Sequence, residues 1–111
     1  MNYKSQRDQL IEAVIGQGAS DLHLSVGHKP TLRVSGQLVP LVNSAPLTPA
    51  DTEGLLFELI TPANKEIFLA KKDLDFAYAA PEGMRFRGNA FYQMGAVGIA
   101  LRAINSKIRT F

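Results

Sequence analysis

The chain contains no cysteine, which removes disulfide frameworks and thiolate metal sites and fits a reducing, cytoplasmic setting. Histidine is nearly as scarce: two in 111 residues supply too few ligands for a metal centre. Long apolar runs are missing as well. No segment approaches the roughly 18 residues a membrane span needs, and the opening MNYKSQRDQL is polar and charged rather than signal-like. Charge of one sign is also short, because a net charge of +2 lacks the concentrated basic stripe of nucleic-acid-binding domains, so any anion binding has to be local. Neither an internal repeat nor a low-complexity stretch is present. What remains is an ordinary globular composition, 46% hydrophobic and 20% charged, at a length that suits one domain.

Residues 3–16 place Leu10, Ile11, Val14 and Ile15 at helical spacing, with Gly16 and Gly18 as stop signals. DLHLSV then alternates Leu22, Leu24 and Val26 against Asp21, His23 and Ser25, the period of a half-buried strand. The turn GHKP and the segment TLRVSGQLVPL add two strands around Ser35-Gly36, with Leu32 and Val34 inward and Arg33 outward, completing a three-stranded meander. Thr48-Pro49 with Asp51 and Glu53 predicts a helix to about Ile60. Thr61-Pro62 repeats the signal for a second helix ending near Leu69 or Ala70, with Ile67 and Phe68 inward. DLDFAYAA reads as a strand, and Pro81, Glu82 and Gly83 turn the chain into the final hairpin, RFRGNAFYQMGAVGIALRAI. Short turns between strands imply an antiparallel sheet of about six strands with helices on one face, an α+β two-layer sandwich.

A two-residue loop at Met94-Gly95 fixes the register of that hairpin. Phe86 then faces Ala103, Gly88 faces Leu101, Ala90 faces Ile99 and Tyr92 faces Val97, all toward the core. The same register sets Arg87 opposite Arg102, with Arg85, Asn89, Phe91 and Gln93 on the outer face. Like charges directly opposite destabilise a sheet by roughly 0.2–1 kcal/mol, so the pair calls for solvent, an acidic partner (Glu82, Asp73 or Asp75) or a bound anion. The planar guanidinium fork suits phosphate and carboxylate.

GASDLHLSVGHKPTLRVSGQL, the helix pair with its LDF strand, RFRGNAFYQ and LRAINSKIRTF together resemble, in order and over almost the whole chain, the N-terminal domain of twitching-motility ATPases of the type IV pilus retraction class. That resemblance implies a PAS-like α+β domain over residues 1–104 and, at 105–111, the start of a linker to a RecA-like ATPase domain. It also implies a regulatory and oligomerisation role in a homohexameric, cytoplasmic motor, peripheral at the inner membrane, whose partners are the RecA-like domain, neighbouring subunits and a pilus platform protein. ATP and Mg belong to the full-length parent, and no cofactor is expected on this domain alone. Carried over residue by residue, Arg87 of RFR-x-N and Arg102 of the closing LR-x-I strand would contact the phosphates of nucleotide held by the motor domain, coupling hydrolysis to domain motion. There are departures from the pattern. Met94 and Gly95 follow Gln93 where relatives often carry another arginine, Asn105 stands for a common proline, and Gly88 replaces a β-branched residue, which predicts a looser strand there.

A phosphate loop of the form G-x-x-x-x-G-K-[ST] does not occur in these 111 residues, so the chain reads as an excised N-terminal domain and not as an ATPase in itself. His23 reads as a structural residue hydrogen-bonded at the sheet surface, His28 as solvent-exposed and Arg33 as one half of a surface ion pair, with Arg85, Asn89, Phe91, Arg33 and His23 as interface or accessory site candidates. Asp73 and Asp75 share a strand face but lack the histidine or nucleophile that acid/base chemistry would need. Phe91 on the arginine face predicts an interface or a second packed surface. Competing readings are an extension or type II secretion ATPase, a free-standing PAS-like module binding a ligand or a partner, and a minor nucleic-acid binder. The sensor reading needs a cavity under the helices, where bulky apolar side chains predict a filled core.

Overall fold

The computed structural model describes residues 2–42, 44–80 and 83–104. The expected turn residues Pro81 and Glu82, the position of Asn105 and the linker at 105–111 lie outside them. Helix α1, Tyr3–Gln17, is capped by Asn2, whose side chain accepts from the Ser5 N–H at 3.0 Å, and is ended by Gly18 in the left-handed conformation. Its Leu10, Ile11 and Val14 are buried. Strands β1 (Asp21–Leu24), β2 (Thr31–Val34) and β3 (Gln37–Pro40) follow as the expected meander.

Helix α2 runs Pro49–Phe57, stopping short of the expected Ile60. Its start is a full capping box: Thr48 Oγ1 accepts from the Asp51 N–H at 3.1 Å, and Asp51 Oδ2 accepts from the Thr48 N–H at 2.9 Å. Its early end follows from the Thr61-Pro62 step. The residue before proline is pushed out of helical geometry, and Thr61 is extended (φ −80°, ψ 161°) as the cap of α3. The chain therefore tightens beyond Phe57, and Arg7 of α1 donates to the Glu58 carbonyl at 2.7 Å. Helix α3 spans Pro62–Lys71. Phe68 is fully buried and stacks on Tyr92 at 5.2 Å between centroids, whereas Ile67, expected inward, is exposed. Adjacent helical residues point about 100° apart, so only one of the two can face the sheet.

Strands β4 (Asp73–Ala79), β5 (Arg85–Gln93) and β6 (Ala96–Ile104) form a second meander. The two meanders join through β1 and β6, giving one antiparallel sheet in the order β3-β2-β1-β6-β5-β4. Leu22, Leu24, Leu32, Leu74, Phe76, Phe86, Ala90, Ile99 and Leu101 line its inner face and form one core with residues of all three helices. Gly88 does not loosen β5: the ring of Phe76 occupies the space its side chain would fill, and a Cβ there would sit 2.3 Å from Phe76 Cζ. Between the helices and the sheet, Leu10, Ile11, Leu22, Leu24, Leu55 and Leu101 enclose only about 10 Å³, no more than one water needs. A buried-ligand sensor has no room at that place.

Candidate functional site

The face of the sheet away from the helices carries the polar residues of alternate strand positions. The registers align a row across four strands: Arg33 on β2, Asp21 on β1, Arg102 on β6 and Arg87 on β5. The hairpin pairing of Arg87 with Arg102 is the expected one. It rests on a tight turn in which both Met94 (φ 54°) and Gly95 (φ 80°) are left-handed, the geometry that matches strand twist in a two-residue loop.

The arginines differ in their surroundings. Arg102 points outward, its side chain 75% exposed, and its Nε donates to Asp21 Oδ2 at 3.4 Å. Asp21 is 13% exposed, and its other oxygen accepts from the Ser20 hydroxyl at 2.6 Å. Burial works to raise the Asp21 carboxyl. The hydrogen bonds from Ser20 and Arg102, with the charges of Arg102 and His23, more than offset it, so the group lies below its ordinary value. The Arg87 side chain is exposed and makes no hydrogen bond or ion pair among the described residues, and the same holds for the side chain of Arg85. The acids considered as partners lie elsewhere or are engaged. Asp73 and Asp75 are both held by the amide of Asn89, at 3.2 and 2.9 Å, and Glu82 is outside the described residues.

Arg33, expected in an ion pair, instead donates its Nη1 to the Gly36 carbonyl of its own hairpin at 3.2 Å. His23 is half-buried one row away, between Thr31 and Ala100. Phe91 is half-buried because its ring lies across Gly98 of β6, where a Cβ would meet Phe91 Cε2 at 2.5 Å. Part of the surface attributed to an interface is therefore covered within the domain. Together Asp21, His23, Asp75, Arg87, Asn89 and Arg102 border a broad open depression of about 1190 Å³. A second depression of about 620 Å³, between α1 and the end of β3 with the segment after it, has no titratable group in its lining among the described residues.

The arrangement can meet an anion with two guanidinium groups on adjacent strands, one of them anchored. The residue that sequence reasoning missed is Asp21. Its outward position on β1 was legible, but its place beside Arg102 depends on which strands join the two meanders.

No family model matches the chain. It is 38% identical over 94 residues to the type IV pilus retractation ATPase PilT of Pseudomonas aeruginosa, covering 85% of this chain and 27% of the relative. To the type IV pilus ATPase PilU of the same organism it is 32% identical over 103 residues, covering 93% and 27%. The chain thus spans about a quarter of the length of these relatives. Among solved structures, the pilus retraction motor PilT with bound ADP superposes with a TM-score of 0.83 at 33% identity, over 92% of this chain and 30% of that one. The Legionella pneumophila ATPase DotB superposes with a TM-score of 0.76 at 26% identity, over 91% and 29%.

Proposed function

This chain is homologous to the type IV pilus ATPases PilT and PilU over their N-terminal domain, and from that kinship we propose that it serves as the N-terminal regulatory and oligomerisation domain of a cytoplasmic pilus-retraction motor. In this reading the domain sits in a homohexamer beside a RecA-like domain that binds ATP and Mg, and the assembly works against a pilus platform protein at the inner membrane. Arg87 and Arg102 reach the phosphates of that nucleotide. The observation that carries the reading is the Arg87 to Arg102 pair itself, two like charges directly opposite, one of them with no partner among the described residues. Such an arrangement costs the lone domain a fraction of a kcal/mol, on the order of 0.2–1, and an anion between the guanidinium groups removes that cost.

The chemistry asked of the pair is limited. Phosphoryl transfer to water spreads charge over the terminal phosphate oxygens, and a guanidinium fork placed there stabilises that charge while leaving the nucleophile to other groups. A contact that depends on the terminal phosphate also ends when it departs, so the same arginines link hydrolysis to movement of the sheet that carries them. PilT has been crystallised with ADP, which fits nucleotide binding by the full-length protein. Identity to PilT exceeds that to DotB, which favours a pilus motor over a secretion motor.

In the full-length protein, Arg87→Ala and Arg102→Ala are each expected to lower ATP turnover by about 10³-fold, the lower end of what one arginine at a transferring phosphate supplies. Turnover within threefold of wild type in both variants would return the pair to ordinary solvated charge.

A further inference from the structure

Within the row Arg33, Asp21, Arg102, Arg87, the acid is the anchored member. Asp21 is mostly buried at 13% exposure, and its Oδ1 is occupied by the Ser20 hydroxyl at 2.6 Å, which leaves Oδ2 for an arginine. Registers place an arginine on either side of it. Arg33 has turned its Nη1 to the Gly36 carbonyl, so the free oxygen goes to Arg102.

That contact uses Nε alone, at 3.4 Å, and among the described residues neither terminal nitrogen of Arg102 makes a hydrogen bond. A guanidinium has five N–H donors in a rigid fork. Holding it by Nε narrows the orientations of the guanidinium while leaving four donors on the two terminal nitrogens, the edge that meets an oxyanion in bidentate fashion. Arg87 stands on the neighbouring strand at the directly opposed position.

We infer that Asp21 is a positioning residue for Arg102, holding its guanidinium by Nε so that both terminal nitrogens address the oxyanion that Arg87 also meets. This rests on the phosphate-contacting role of the arginine pair proposed above. It differs from a plain electrostatic role in sign. A carboxylate beside an anion site repels the anion, so removing its charge alone would tighten anion binding. Removing an anchor weakens binding, because the arginine must then be ordered at the moment of contact.

The test is a titration of this chain with tripolyphosphate, followed by ¹⁵N-edited NMR of the arginine Nε–Hε groups. In the wild type, Arg87 and Arg102 are expected to shift together. Asp21→Asn keeps an oxygen for the Ser20 hydroxyl and removes the charge. It is expected to weaken binding at least threefold and to move the Arg102 signal to the position of an unanchored arginine. Equal or tighter binding by this variant overturns the inference and leaves the phosphate reading standing. A wild type in which neither arginine responds overturns the phosphate reading, and the positioning role with it. Should Asp21→Asn fail to fold, Arg102→Lys carries the test, since it keeps the charge and loses the fork. Weakening by threefold or more supports the positioned fork, and wild-type affinity overturns it.

Discussion

Gly88 shows how much a single missing side chain decides. A Cβ at this position would lie 2.3 Å from Phe76 Cζ and 2.8 Å from Leu101 Cδ2, and both of those side chains are buried. Gly88→Ala is expected to destabilise the domain by about 1–3 kcal/mol, the usual cost of overpacking a filled core. A urea midpoint unchanged from wild type would mean that the Phe76 ring yields freely. Sequence alone read Gly88 as a weak point in a strand, because a glycine's use depends on which ring lies across it, and that is a property of the neighbouring strand. Arg87 and Arg102 were legible for the opposite reason: a two-residue loop sets register by itself, so their opposition followed from sixteen consecutive residues, Arg87 to Arg102. Asp21 is 81 positions from Arg102, and no local rule joins them. Ile67 was misplaced because apolar character marks both members of the Ile67-Phe68 step, and only the rotation of α3 against β4 and β5 separates them.

At the scale of elements, helix starts were the most readable features and helix ends the least. The Thr48 capping box and the Thr61 cap are written in three or four residues each, and both form. The end of α2 instead answers to a proline five residues further on and to Arg7, 51 positions away. Thr48→Ala is expected to cost about 1 kcal/mol, the typical loss for an N-cap hydroxyl, read from the denaturant midpoint of this chain. The carboxyl of Asp51 is held below its ordinary value, first by the Thr48 backbone N–H, with further help from the Thr48 hydroxyl and from Tyr3, whose phenol donates to it at 3.0 Å. A carboxyl lowered in the folded state contributes stability that is present above the unfolded value, near pH 4, and is lost as pH falls through the folded one. Asp51→Asn is therefore expected to lower stability at pH 7 and to flatten the acid limb of the stability profile below about pH 4. A profile parallel to wild type would show that Asp51 makes no net contribution through its charge.

The whole molecule divides its work by face. One side of the six-stranded sheet is sealed by three helices with almost no interior space, and the other presents a charged row spanning both meanders. The join between β1 and β6 brings Asp21 from the first meander against Arg102 of the second, so the candidate site exists only when both halves are assembled. Because the Arg87 side chain is exposed and makes no hydrogen bond or ion pair among the described residues, Arg87→Ala is expected to leave the unfolding midpoint of this chain unchanged or slightly raised, as relief of a like-charge pair. A clear fall would assign Arg87 to folding. Whether Arg87 and Arg102 act together on one phosphate is read from ATP turnover of the full-length protein carrying both Arg87→Ala and Arg102→Ala. The expected loss is about 10³-fold or more, close to that of the worse single variant because the two act as a unit. Wild-type turnover in the double variant would show that neither arginine acts on the phosphate.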